Sequence, residues 1–207
     1  MATLALRIEP TGPGSGVEVR FEVEPRLTPL YLFKTIETFH AQLEAFVHEA
    51  LSEGLAGWQV TDCRVTVTDC GYASPVTSAA DYRRLTQLLV ATALERARTW
   101  VCEPLAELSL ETPASTAQGV LGVLGRLGGR VTGQFSADGL SRVSAVLPVA
   151  RVRSLQHQLP GLSMGEGILE TKFGGYQPIG EHPPTRPRSG PSPLDRDAWL
   201  ASLAKRG

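Results

Sequence analysis

Cysteine is scarce in this chain: Cys63, Cys70 and Cys102 are the three in 207 residues. The number is odd and no secretory leader opens the sequence. The expected setting is therefore a reducing cytosol, with no disulfide framework. No apolar run approaches the roughly 20 residues that a membrane-spanning helix needs, so a soluble, cytoplasmic chain is expected. Neither sign of charge dominates. Lys and Arg number 20 against 21 Asp and Glu, for a formal net charge of −1. That excludes a protein whose whole surface attracts nucleic acid and leaves room for a local basic patch.

Other absences narrow the chemistry. No G-x-x-x-x-G-K-[ST] run occurs, so this chain is not expected to hydrolyse a nucleotide. Gly12, Gly14 and Gly16 lead into an alternating strand, whereas a phosphate-cradling loop leads into a helix N-terminus. Cys63 and Cys70 do not have a zinc-site spacing, and His40 and His48 stand eight apart on a helical pattern, which is too far for one metal site. No Ser or Cys sits in a nucleophile elbow beside a base. Asp62, Asp69 and Asp81 suit turns and caps. A small metabolic enzyme using Cys70 or Asp69 in a cleft stays open as an alternative, and it requires a deep pocket with shifted titratable groups.

What is present is a folding pattern. Hydrophobic residues make up 42% of the chain, enough for a core. Leu4, Leu6 and Ile8 alternate with polar neighbours, as do Val17, Val19, Phe21 and Val23, which predicts two strands joined as a hairpin through residues 10–16. Thr28-Pro29 reads as a cap and first helical position. Leu32, Phe33, Ile36, Phe39, Leu43, Phe46, Val47 and Leu51 recur at helical spacing, with Gly54 as the stop. Trp58 and Val60 share one strand phase, and Cys63, Val65 and Val67 share the other, which predicts a bulge at Thr61-Asp62. Ser78-x-x-Asp81 is a capping box that opens a second amphipathic helix running toward Trp100.

Beyond it, residues 105–111 form a strand. A helix follows through Ala117, Val120, Leu121, Leu124 and Leu127, ended by Gly128-Gly129. Two strands then flank Ser136-Ala137-Asp138-Gly139, followed by a helix over 149–158 and a strand over 165–173. This is the βαββαβ order of a ferredoxin-like fold. Residues 178–193 hold six prolines, a linker or wrapped tail. A short helix follows, with Trp199 and Leu203 expected to dock on a domain face.

Between the Cys63 strand and the capped helix lies Tyr72-Ala73-Ser74-Pro75-Val76-Thr77. It reads either as a surface turn or as a platform for a flat partner. Nucleobases stack on aromatic rings for about 1–3 kcal/mol each, and a proline ring offers a comparable flat face. Arg83 and Arg84 follow in the first helical turn and could meet a phosphate backbone, or simply be solvated. The residues alone leave both readings open.

The runs Gly54-Leu55-x-Gly57-Trp58-x-Val60-Thr61-Asp62-Cys63, Tyr72-x-Ser74-Pro75-Val76 and Ala80-Asp81-Tyr82-Arg83 carry a resemblance. So do Gly14-Ser15-Gly16-Val17, Glu103-Pro104-Leu105, Tyr176-Gln177-Pro178 and Arg186-Pro187-Arg188. Together they resemble the ribosomal protection proteins that confer tetracycline resistance, relatives of elongation factor G. The resemblance implies an α+β chain of two two-layer sandwiches. Residues 1–102 would correspond to the fourth domain, 103–177 to the ferredoxin-like fifth domain, and 178–207 to a proline-rich tail and C-terminal helix. It implies no catalytic residue, metal or cofactor here, because GTP and Mg belong to a nucleotide-binding domain outside this chain. The implied partner of this monomeric chain is the ribosome, through small-subunit rRNA in the decoding region.

Carried over by residue, Pro75 would stack on an rRNA base at the tetracycline site. Tyr72 would extend that contact, while Ala73, Ser74, Val76 and Thr77 shape the loop. Gly12, Gly14, Ser15 and Gly16 would form a neighbouring contact, joined by Arg83 and Arg84, and the C-terminal helix would brace the fourth domain or touch rRNA. Ala73 stands where relatives often carry a second aromatic residue. The histidine-and-aspartate tip of the translocating factor, the alternative on the same scaffold, is absent.

Overall fold

The most apolar strand takes the centre of the first sheet. β1 (Thr3–Pro10), β2 (Val17–Phe21) and β3 (Cys63–Gly71) lie in the order β1–β3–β2. The computed structural model describes residues 2–180 and 182–204, with side chains through Ser202. β1 runs antiparallel to β3, and β2 runs parallel to it. The expected β1–β2 hairpin therefore does not form. Cys63, Val65, Thr66 and Val67 are buried, and a strand this apolar is most stable with a neighbour on each side. The 11–16 connection crosses over the start of β3. Gly16 N donates to Asp62 Oδ1 at 3.0 Å, Cys63 N to Gly16 O at 3.1 Å and Thr11 N to Asp62 O at 2.8 Å.

Trp58 and Val60 lie outside the strand, and no bulge forms at Thr61-Asp62. Asp62 has φ 56°, a left-handed conformation that Asp tolerates, and it turns the chain into Cys63. The irregularity lies elsewhere. Ala5 pairs with Asp69 and Leu6 with Val67, so Thr68 is unpaired and Cys70 turns to the same side as Val67.

The first predicted helix is broken in two. α1 (Leu30–Phe33) is a single turn that follows a 3-10 turn at Pro25–Leu27. Lys34, at φ 67°, breaks the chain, and α2 (Ile36–Leu51) restarts at Thr35. The Thr35 side chain accepts from Thr38 N at 3.1 Å, so Thr35 is the cap that Thr28 was expected to be. α2 ends at Leu51, before Gly54. α3 (Ala79–Ala97) opens on the capping box read from the sequence and stops short of Trp100. Phe39, Leu43, Val47 and Leu51 of α2 and Tyr82, Val90 and Leu94 of α3 cover one face of the sheet. The other face carries Arg7, Glu9, Glu18, Arg20 and Arg64 in ion pairs. Hydrogen bonds from Arg64 and Arg20 hold the Glu18 carboxyl below its usual range.

The chain divides into two units, Met1–Val101 with the tail from His182, and Cys102–Glu181. The second unit is β4 (Cys102–Pro113), α4 (Ala117–Arg126), β5 (Arg130–Ala137), β6 (Leu140–Pro148), α5 (Val149–Leu162) and β7 (Ile168–Pro178). Its strand order β5–β6–β4–β7, antiparallel throughout, completes the expected βαββαβ fold. Asp138 at φ 52° and Gly139 at φ 78° form the predicted turn, with both central residues left-handed as a tight hairpin prefers. Leu108, Leu110, Val120, Leu124, Val143, Leu147 and Leu155 form its core. α5 runs beyond residue 158, with Pro160 in its last turn, and β7 extends to Pro178.

The tail straps the first unit. Trp58 Nε1 donates to Pro184 O at 2.7 Å, Arg186 N to Ala56 O at 2.9 Å and Arg188 Nη1 to Glu53 O at 2.7 Å. α6 (Arg196–Ala204) follows, and Trp199 and Ser202 border a cleft with Glu49, Gln87 and Leu94. The expected docking of the Leu203 side chain lies outside the described residues.

At Gly57, φ is 79° and an added Cβ would sit 1.9 Å from Arg186 O. The left-handed backbone alone costs a side chain about 1–2 kcal/mol. Gly57→Ala should lower the stability of the first unit by at least that amount and expose the tail to protease. Gly12→Ala, which meets nothing within 4 Å, should do neither. Thermal unfolding and limited proteolysis check both outcomes. A second expectation concerns acid. Burial raises the Glu53 pKa, but hydrogen bonds from Ser189 and the charges of Arg188 and Arg186 outweigh it, so the net shift is downward from 4.5. A depressed carboxylate stabilises the fold above its unfolded pKa, and that contribution is lost as pH falls through the lower folded value. Amide exchange at Ser189, corrected for intrinsic rates, should therefore accelerate below pH 4.5.

Candidate functional site

β3 ends at Gly71 and α3 begins at Ala79, and the loop between them is fixed at its base. Tyr82 Oη donates to Gly71 O at 3.0 Å on the strand side. On the helix side, Ser78 N donates to Asp81 Oδ2 at 2.9 Å and Asp81 N to Ser78 Oγ at 3.3 Å. Inside the loop, Thr77 N donates to Ala73 O at 2.9 Å and Ala73 N to Thr77 Oγ1 at 2.9 Å. Thr77 is buried at 2% exposure and holds the loop closed. Ala73, Ser74, Pro75 and Val76 are exposed, Val76 to 74%, and Tyr72 is 40% exposed. The Ser74-Pro75 peptide is cis. The tip therefore presents an aromatic ring, a proline ring and a valine on a closed base.

The other candidates fall into place differently. Gly12, Gly14, Ser15 and Gly16 are not neighbours of this loop. Pro10 pairs with Cys63 and Thr3 with Gly71, so the glycine turn lies at the opposite end of β3. Eight residue steps at ~3.3 Å separate the two ends by about 26 Å. Arg83 is exposed and already paired within the protein. Its Nε and Nη2 donate to Glu49 of α2 at 2.8 and 2.5 Å, and that pairing raises its pKa. Arg84 remains exposed.

Sequence reasoning missed Tyr31. Because β2 runs parallel to β3, the chain leaving β2 arrives at the loop's end of the sheet. Tyr31 Oη donates to Thr77 O at 2.7 Å, and its ring centroid lies 5.5 Å from that of Tyr72. The missed signal was the parallel pairing, which the short connection through residues 11–16 hid.

Of the two residues that the enzyme alternative named, Asp69 is exposed and Cys70 is sealed. Cys70 is 3% exposed, its Sγ donates to Leu27 O at 3.1 Å, and burial followed by the charge of Asp69 pushes its thiol up to about 11. A thiol held that far above neutrality is not a thiolate. Tyr82 is raised, by burial first, and acts as a donor to the backbone. Among the described residues no three of His, Cys, Asp and Glu group as metal ligands, and no helix is long and apolar enough to cross a membrane.

Residues 1–98 match the family model of elongation factor G domain IV, and residues 100–187 match that of the elongation factor G C-terminus. The chain belongs to the elongation factor G-like family. Resistance proteins are among its similar relatives. An oxytetracycline resistance protein of Streptomyces rimosus is 39% identical over 197 residues, covering 94% of this chain and 28% of the relative. A tetracycline resistance protein TetM of Streptomyces lividans is 38% identical over 190 residues, covering 92% of this chain and 28% of the relative. The chain thus spans about 28% of the length of these curated relatives. A crystal structure of a Thermus thermophilus protein shares the fold, with a TM-score of 0.75, 23% identity, and coverage of 99% of this chain and 28% of that one.

The capping box at the start of α3 invites a direct test. Ser78→Ala removes the acceptor for Asp81 N and should destabilise the first unit by about 1 kcal/mol, as read by urea unfolding.

Proposed function

We propose that this chain is the ribosome-contacting part of a ribosomal protection GTPase of the cytoplasm. On this reading residues 1–102 and 103–177 act as its fourth and fifth domains, with 178–207 as tail and terminal helix. The tip of the 72–77 loop meets small-subunit rRNA in the decoding region and displaces tetracycline. The observation that carries the reading is the tip itself. Tyr72, Pro75 and Val76 are exposed on a loop whose base is pinned to strand and helix, which is the arrangement stacking requires. The resistance proteins among its relatives support the same reading. Pro75 takes the base face, Tyr72 flanks it, and Ala73, Ser74 and Thr77 set the loop's shape. Their work is steric, with no bond made or broken.

GTP and Mg would be held outside this chain. The residues here do not fit them, since the glycine-rich turn at 12–16 leads into β2 instead of a helix N-terminus and has no lysine. Energetics set the scale of the contact. One or two stacked bases contribute about 1–3 kcal/mol each, and millimolar binding corresponds to about 4 kcal/mol. Useful affinity then comes from several domains engaging at once. The isolated, monomeric chain is expected not to hydrolyse GTP and not to restore translation in tetracycline at micromolar concentration.

The decisive experiment uses a chimera, the Streptomyces rimosus resistance protein carrying this chain in place of its matching segment. It should release labelled tetracycline from ribosomes. Pro75→Ala should cut that release about tenfold, the equivalent of roughly 1.4 kcal/mol, while GTP hydrolysis is retained. Release unchanged by Pro75→Ala would sink the reading. A chimera that supports translocation without releasing drug would place the chain with the translocating factors instead.

A further inference from the structure

Ala73 leaves the 72–77 loop with one aromatic ring of its own, beside the Pro75 ring. The structure supplies a second from elsewhere in the chain. α1 stands at the same end of the sheet, and its turn is fixed from behind. Phe33 is 5% exposed and packs edge-on against Tyr82 at 6.0 Å. Lys34 N donates to Leu30 O at 2.8 Å and Leu32 N to Pro29 O at 2.9 Å. From this mount Tyr31 reaches the loop in two ways. Its hydroxyl donates to Thr77 O at 2.7 Å, and its ring lies 5.5 Å from Tyr72 at an interplanar angle of 44°. Tyr31 is nevertheless 45% exposed, beside Leu30 at 47%.

We propose that the contact surface is shared by two chain segments, with Tyr31 of α1 as the residue that positions the 72–77 loop and as its second ring toward an unpaired nucleobase. This rests on the reading that the loop meets rRNA. Leu30, Tyr31, Tyr72, Pro75 and Val76 carry no charge, so the surface suits the face of a splayed base better than a phosphate. Two rings tilted against each other offer a base two apolar faces, where one aromatic ring offers a single face. The bond to Thr77 O fixes the loop closure from outside. Thr77 is itself the residue that accepts from Ala73 N and donates back to Ala73 O.

The test uses the same chimera in four variants, Tyr31→Phe, Tyr31→Ala, Tyr72→Ala and Pro75→Ala. Each is read for release of labelled tetracycline from ribosomes and for thermal midpoint. Amide exchange at Ala73 and Thr77 is followed as well. Tyr31→Ala should reduce release about tenfold, the loss of one stacking contact, with the midpoint nearly unchanged. Tyr31→Phe keeps the ring and should restore part of the release, while exchange at Ala73 and Thr77 still quickens because the hydroxyl bond is gone. If Pro75→Ala and Tyr72→Ala lose release and Tyr31→Ala does not, the role of Tyr31 is overturned and the tip reading stands. If no variant changes release, both are overturned. If the loss in Tyr31→Ala tracks a fall in its midpoint, Tyr31 is a packing residue and the proposal is wrong.

Discussion

The first unit depends on where β3 lies and where it stops. β3 pairs with a strand on each edge and is buried by two helices on one face. That placement decides what stands at each of its ends. The antiparallel partner β1 brings the glycine turn to its start, and the parallel partner β2 brings α1 to its finish. A one-residue slip would turn the buried Val65 and Val67 outward and the ion-paired Arg64 inward, so the register is strongly held. The loop at the end of β3 inherits this rigidity through backbone acceptors at Gly71 and Thr77, which are bonded by two tyrosine hydroxyls.

Rigidity at the base and exposure at the tip have one physical origin. Of the side chains that fix the loop, Tyr82 sits in the aromatic cluster with Phe33 and Phe39, and Thr77 is buried at the base. Closure is internal, between Ala73 and Thr77, and leaves the outward groups of Pro75 and Val76 without work inside the fold. A stacking contact also loses little entropy when the loop is already ordered. The tail acts on another part of the same unit. It ties down residues 53–58 through Trp58, Arg186 and Arg188 and completes the far side of α2.

Much of this was legible in the sequence. The capping box at Ser78 and Asp81, the α2 stripe, the hairpin at Asp138-Gly139 and the βαββαβ order follow from short-range rules of spacing and turn chemistry. Those rules operate on neighbours within a few residues, and they succeeded wherever neighbours decide the outcome. They failed where a long-range choice competed. Val17–Phe21 alternates like one arm of a hairpin, yet it pairs with a strand some 46 residues later. Thr28-Pro29 looks like a helix start, yet the chain needs a break at Lys34 to carry α2 across the sheet. Trp58 and Val60 alternate like a strand, yet they serve the tail and the end of α2.

Short-range chemistry was enough to specify most of the element types, the order of the ferredoxin-like second unit and the composition of the tip, because propensity, capping and turn preference are local. Packing across the fold settled the rest: Gly12–Gly16 lies at the end of β3 opposite the tip, Arg83 pairs with Glu49, Cys70 is sealed inside, and Tyr31 stands beside Tyr72. These depend on the antiparallel pairing of β1 and the parallel pairing of β2 with β3, and on the packing of α2 on α3. Such pairings gain their free energy from surfaces brought together across dozens of residues, and no local pattern encodes them.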